Sequence, residues 1–281
     1  RDVLSASSAP GRAMQVGNPN LLQLPILGTN VTDFAQAREI ESLAGTRYMR
    51  QRTRPAPIRS LPLDIPAREV DLTVDGRPVI GVEAGSLAPM PLRPAGTVAI
   101  TGPAQSGRTN TVRWLARSVH RAFPNAVMLH ASARRSLVAR EPLWTETAQG
   151  ADKIASMLMK HAHLFEEEAP DNTPGVVLFV EGIGEFSFSA CDQQLQDAIA
   201  SSKANGHLVV AEADVSGWSF GGSLASGVRS GRTGIVLCPS PGEGENAVGV
   251  AVPGVSGREA VPGRGYFVQS GKQWKVQVPR V

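Results

Sequence analysis

Ile100-Thr101-Gly102-Pro103-Ala104-Gln105-Ser106-Gly107-Arg108-Thr109 decides the fold of this 281-residue chain. The apolar run Gly96-Thr97-Val98-Ala99-Ile100 leads into it, and Asn110-Thr111-Val112-Arg113-Trp114-Leu115-Ala116 leads out with helical spacing. A strand, then Gly-x-x-x-x-Gly-Lys-[Ser/Thr], then a helix is the P-loop arrangement, here with Arg108 where lysine is expected. Gly102 and Gly107 let the backbone curl so that several N–H groups point inward, and the helix adds the positive end of its dipole. Gly102, Pro103, Ala104, Gln105, Ser106, Gly107, Arg108, Thr109 and Asn110 are therefore the candidate nucleotide-binding residues. Thr109 would offer its hydroxyl to a magnesium ion. Lysine reaches outer phosphates as a compact point charge, whereas the planar fork of arginine needs more room. Arg108 keeps the charge and loses the fit. The alternative is a glycine-rich turn that binds nothing.

The second half of the signature is Pro174-Gly175-Val176-Val177-Leu178-Phe179-Val180-Glu181-Gly182-Ile183-Gly184-Glu185, a buried-type strand ending in an acid. A P-loop ATPase ends this strand with Asp, which orders the metal ion, usually followed by a catalytic acid. Glu181 fills the first slot and is the candidate metal-touching and catalytic carboxylate. Gly182 fills the second and has no side chain to aim a water. Glu185 is either a substitute for it or a solvated surface acid.

The phosphate loop, the acid-tipped strand and the later strand His207-Leu208-Val209-Val210-Ala211-Glu212-Ala213 occur in the order of FtsK/SpoIIIE-type ATPase domains. Pro262-Gly263-Arg264-Gly265-Tyr266-Phe267 resembles the Pro-Gly-Arg-Gly terminus of those domains. Over roughly residues 60–281 the chain is most similar to the C-terminal modules of EccC-type ATPases of type VII secretion. The resemblance implies an α/β, RecA-like P-loop NTPase with a mostly parallel central sheet covered by helices. It implies ATP and magnesium as cofactors, ring assembly into hexamers, and further ATPase modules in the same polypeptide as partners. It also implies a secreted protein as substrate and a place at the cytoplasmic face of a membrane. Arg108, Glu181 and Gly182 depart from the family pattern at the positions that carry hydrolysis.

An internal repeat supports a tandem organisation. Ala9-Pro10-Gly11-Arg12-Ala13-Met14-Gln15-Val16, a Gly17-Asn18-Pro19-Asn20 turn and Leu21-Leu22-Gln23-Leu24-Pro25 spell a hairpin. Val261-Pro262-Gly263-Arg264-Gly265-Tyr266-Phe267-Val268, a Ser270-Gly271-Lys272-Gln273 turn and Trp274-Lys275-Val276-Gln277-Val278-Pro279 spell it again, about one module length later. The expected organisation is residues 1–28 as the closing hairpin of a preceding module, 29–66 as a linker helix and Pro/Arg-rich connection, and 67–281 as the ATPase-like domain.

Composition sets limits. With 42% hydrophobic and 19% charged residues the chain can bury a sizeable core, and no run approaches the roughly 20 apolar residues of a membrane span. Cys191 and Cys238 are too few for a disulfide framework or a zinc site, which fits a reducing cytosol. Thr32 and Asp33 predict a helix cap before Phe34, Ala37, Ile40, Leu43, Ala44 and Tyr48. The basic stretch Arg47–Arg59 reads as solvated linker rather than a run that attracts phosphate or anionic lipid, because beyond Tyr48 no aromatics are interleaved to stack on bases. Strands are expected between Val79 and Leu92 and at Ala126–His130, and helices from Gly107 to Ala122 and around Ile154–Phe165. His161 and His163 fall on different helix faces and form no metal pair. Glu166-Glu167-Glu168 reads as a solvated helix end. Arg229 and Arg232 are either surface residues or donors to a neighbouring subunit's phosphate, as ring ATPases use. Trp218, Phe220 and Trp274 are either packing aromatics or a docking pocket.

Three functions follow as expectations. The first is a nucleotide-binding, poorly hydrolysing module of a secretion motor, acting in substrate recognition or motor regulation. The second is a DNA translocase module, which a net charge of +3 does little to support. The third is an interaction scaffold that binds no nucleotide.

Overall fold

The computed structural model describes residues 11–14, 21–46, 60–170 and 173–281. They belong to two compact units, Arg1–Ile58 and Arg59–Val281. In the smaller unit, β1 (Arg12–Met14) pairs antiparallel with β2 (Leu21–Gln23), and α1 spans Asp33–Ala44. The Thr32 hydroxyl caps α1 as expected, accepting from the Ala35 N–H at 3.4 Å. Gln36 clasps the strand exit, accepting from the Leu27 N–H and donating to the Leu27 carbonyl, each at 2.8 Å. Phe34, Ile40 and Leu43, the predicted apolar face of α1, are exposed within this unit. The basic stretch Arg47–Arg59, with Tyr48, lies outside the described residues.

The larger unit runs β3 (Thr73–Val74), β4 (Arg77–Glu83), β5 (Pro89–Pro91), β6 (Gly96–Thr101), α2 (Arg108–Ala122), β7 (Val127–Ser132), β8 (Glu146–Gln149) and α3 (Ala151–Glu166). It continues with β9 (Val176–Glu181), α4 (Asp192–Asn205), β10 (Leu208–Glu212), α5 (Val215–Phe220), α6 (Gly222–Arg229) and β11 (Thr233–Leu237). It closes with α7 (Glu245–Val248), β12 (Arg264–Gln269) and β13 (Lys272–Gln277). It begins before residue 67, because Leu61 and Ile65 are buried against Val82. The strand β8 is additional to those expected from the sequence.

Among the described residues one sheet of eleven strands runs β3-β4-β13-β12-β11-β6-β10-β9-β7-β8, with β5 beside β4. From β11 to β8 all pairings are parallel, and from β11 through β12, β13 and β4 to β3 they are antiparallel. The parallel half is covered on both faces, so β9 is apolar throughout rather than alternating. Val177 and Phe179 pack with Val112, Leu115 and Val119 of α2, while Leu178 and Val180 pack with Ile154 and Leu158 of α3 and Leu195 of α4. Alternate residues of one strand thus feed the two cores. Burying each such Val or Leu contributes roughly 1.5–3 kcal/mol.

The topology places the site. The acid-tipped β9 is separated from the loop-bearing β6 by β10, in a register that sets Glu212 opposite both Ile100 and Glu181. Ligands of such sheets lie at the carboxyl ends of the strands, and here the tips of β6, β9 and β10 meet.

The two hairpins match in detail. Gly11 and Gly263 both have left-handed backbone, φ +79° and +82°. Leu24 N–H donates to the Gly11 carbonyl at 2.8 Å, and Val278 N–H to the Gly263 carbonyl at 2.8 Å. Arg12 stands opposite Gln23 as Arg264 stands opposite Gln277. Gln23 Nε2 reaches the Leu24 carbonyl at 3.1 Å, and Gln277 Nε2 the Val278 carbonyl at 3.2 Å.

Candidate functional site: a phosphate loop with committed carboxylates

The loop between β6 and α2 has the form its sequence predicts. Gly107, with φ +95°, is the N-terminal cap residue of α2, and a Cβ there would lie 2.8 Å from the Gly263 nitrogen. A Cβ on Gly102 would lie 2.5 Å from Ser106 Oγ and 2.7 Å from the Leu237 carbonyl oxygen. Both positions need glycine because the backbone passes too close for any side chain. Gln105 is also left-handed, at φ +64°. Ser106 Oγ is buried and has no hydrogen-bond partner among the described residues. An unpartnered buried hydroxyl turned toward Gly102, beside a curled backbone at a helix start, suits a phosphate group.

The side chains around the loop are differently engaged. Arg108 does not stand free: its Nη1 lies 3.1 Å from Glu212 Oε1 at the tip of β10. Glu212 is further held because the Gly182 N–H donates to its Oε2 at 3.2 Å and to its backbone carbonyl at 2.9 Å. Burial pushes the Glu212 carboxyl above the usual carboxylate range; Arg108 opposes this less strongly and Glu181 adds to it. Glu181 is drawn toward β7, with Oε1 2.7 Å from Nε2 of the fully buried His130 and accepting the Ser136 hydroxyl at 2.5 Å. The His130 ring packs on Trp144, centroids 5.0 Å apart. Asp214 caps α5, accepting from the Gly217 N–H and the Ser216 hydroxyl at 2.7 Å each, and these bonds hold its carboxyl below the usual range.

Thr109, Glu181, Gly182 and Glu212 line one cleft of about 280 Å³. The two residues expected to meet magnesium therefore share a space, but Glu181 already accepts from two partners. Among the described residues, no group of three or more His, Cys, Asp or Glu side chains is arranged to hold a metal ion. The loop keeps the form of a phosphate cradle, while Glu181 Oε1 is taken by His130 and Ser136.

The remaining candidates separate. The Asn110 side chain is engaged away from the loop, donating to the Pro279 carbonyl and accepting from the Val281 N–H, each at 2.8 Å. Gly182 has φ +75°, and a Cβ there would lie 3.2 Å from Glu185 Oε1. Glu185 is exposed and pairs with Arg134 at 3.2 Å. Arg229 donates to Ser226 Oγ and the Asn246 carbonyl, and Arg232 is exposed. His161 bonds Glu146, while His163 and Glu166–Glu168 are exposed. Trp218 is buried with its N–H on the Ile100 carbonyl, Trp274 stacks on Phe267, and Phe220 is exposed. Glu212, His130 and Ser136 were missed as site residues. A carboxylate ending an apolar strand beside the loop strand was the available signal for Glu212, and a histidine inside Val-Met-Leu-His was the signal for His130.

Solved structures share this fold. The chain superposes on ATPases 2 and 3 of Thermomonospora curvata EccC, in a structure that also contains a signal sequence peptide, with TM-score 0.66 and 20% identity over 97% of this chain and 53% of that one. The cytoplasmic domain of the same organism's type VII secretion ATPase EccC gives TM-score 0.65 at 20% identity, covering 97% of this chain and 34% of that one. EssC ATPases 2 and 3 of Geobacillus thermodenitrificans give 0.64 at 20% identity, over 100% and 57%. The chain has the fold of the EccC/EssC ATPase modules. It spans between a third and three-fifths of those chains. Models of protein families gave no match, and neither did the curated proteins. No helix among the described residues is long and apolar enough to cross a membrane.

Proposed function

We propose that residues 59–281 form a nucleotide-binding, non-hydrolysing module of a type VII secretion motor that acts in substrate recognition or in regulating the motor. The observation that carries this reading is the combination of an intact phosphate cradle with carboxylates already engaged by protein groups. Binding needs the curled backbone and the helix start; hydrolysis needs an aimed water and a charge placed for the transition state. Losing one such charge-stabilising group typically costs about 3–4 kcal/mol of barrier lowering. Here the lysine and the catalytic acid both lack their usual form.

The matching hairpins support a further element, that residues 1–28 close a preceding module of the same polypeptide. The signal sequence peptide present with the Thermomonospora curvata protein supports a segment of an exported protein as this module's partner. Calorimetry with ATP and magnesium, beside a single-turnover hydrolysis assay, tests the central claim. Heat of binding without turnover is expected, and brisk turnover would overturn it. A second reading, an interaction scaffold that holds no nucleotide, is favoured by the Arg108–Glu212 pair itself; a silent titration with folded protein would select it.

A further inference from the structure

Glu212 pairs with the loop's cation, and its surroundings fix it there. Its backbone is held in the sheet between β6 and β9, and its Oε2 accepts the Gly182 N–H. Its Oε1 faces Arg108, and both side chains are largely shielded from water, at 24% and 14% exposure. A carboxylate offers a guanidinium the same anionic oxygens that a terminal phosphate would. The groups facing Glu212 are Arg108 from α2, Glu181 from β9 and Asp214 from the cap of α5, and Arg134, Arg135 and Glu185 line the same clefts. Arg108 is thus already paired with a carboxylate, and a phosphate approaching it must displace or share that partner.

We propose that Glu212 is an internal anion that occupies Arg108 and sets how weakly this loop holds the terminal phosphates of a nucleotide. The proposal rests on the nucleotide-binding reading above and assigns the control of that site to one residue. Removing the Glu212 charge frees Arg108 and takes away one repulsive neighbour at once. Acidification does the same by protonating Glu212, whose burial favours the neutral form.

The test is calorimetric titration of Mg·ATP, and of inorganic triphosphate, into wild type, Glu212→Gln, Glu212→Ala and Arg108→Ala, with Glu168→Gln as an exposed control of equal charge change. The expected result is about tenfold tighter binding in Glu212→Gln, the scale of one close charge pair, with Glu168→Gln within about twofold of wild type. Wild-type affinity should rise as pH is lowered toward the carboxylate range, and this rise should be smaller in Glu212→Gln. Unfolding midpoints establish that each variant is folded, and Glu212→Ala serves if Glu212→Gln is not. Wild type and both Glu212 variants binding equally would overturn the proposal and leave the nucleotide-binding reading standing. Binding by the Glu212 variants alone would uphold the proposal and refute that reading for wild type. Silence from all of them would overturn both.

Discussion

The Gly263 N–H donates to the Ser106 carbonyl at 2.8 Å, so the closing hairpin is hydrogen-bonded directly to the phosphate loop. The same hairpin leaves no room for a Cβ on Gly107, and Asn110, in the first turn of α2, clasps the backbone of Pro279 and Val281. The loop's curl is therefore held by the last twenty residues of the chain as well as by its own glycines.

Gly107→Ala forces a side chain into left-handed backbone and against Gly263. The expected loss is at least about 1–2 kcal/mol from the backbone alone, read as a lower urea midpoint. Unchanged stability would mean that the hairpin does not grip the loop as described.

Arg264 is buried, donating from Nε to Gln277 Oε1 at 2.9 Å and from Nη2 to the carbonyls of Leu61 and Pro62 at 3.2 and 2.6 Å. Arg264→Met leaves these acceptors unpaired, at about 1–3 kcal/mol for each unsatisfied group. Arg264→Lys should recover little, since one ammonium cannot reproduce the fork. Equal stability of Arg264→Lys and wild type in chemical denaturation would contradict this.

Glu141 anchors α2 through Arg113 and Arg117, at 2.7 and 2.9 Å. Burial alone would push its carboxyl up, but the two arginines together outweigh burial and hold it below the usual range. A depressed folded value contributes stability above the unfolded carboxylate range, lost as pH falls through the folded value. The stability gap between wild type and Glu141→Gln should therefore be full at pH 7 and shrink below roughly pH 4. A gap independent of pH would sink the ion-pair account.

Glu212 carries the opposite sign. Its folded value is raised, so the native state binds more protons than the unfolded chain between the two values, and stability falls as pH rises through that window. Above the folded value the full penalty is present, so there Glu212→Gln should be at least as stable as wild type even though it breaks the ion pair with Arg108. As pH drops through the folded value, wild type should gain on the variant. Melting temperatures across pH check this, and a marked loss on Glu212→Gln above the folded value would show the pair to be net stabilising.

Steady-state ATP hydrolysis by wild type should be negligible. Arg108→Lys with Glu181→Asp should leave it so, because position 182 still lacks a group to aim a water. Adding Gly182→Asp places a side chain at φ +75° and should cost about 1–2 kcal/mol of stability. Brisk phosphate release by wild type would end the argument for an impaired site.

The hairpin repeat was legible because each copy spells its own turn chemistry: a left-handed glycine before an arginine, and a glutamine before the residue that returns to that glycine's carbonyl. The strands β6, β9 and β10 were legible because their unbroken apolar runs of three, five and four residues suit a sheet covered on both sides. The fates of the aromatics were not. Trp218 and Phe220 are two residues apart on one short helix, and only its placement over β6 buries the first and exposes the second.

By itself the sequence determined a strand, a phosphate loop and a helix, an acid-tipped strand, and two copies of a closing hairpin. Each of these rests on local backbone geometry and on periods of a few residues. Only the tertiary structure decided that Arg108 faces Glu212, that Glu181 turns to His130 and Ser136, and that Gly263 holds Ser106. Arg108 and Glu212 are more than a hundred positions apart in the chain, and their meeting depends on the sheet order that sets β10 between β6 and β9. No period within a strand or helix encodes that order.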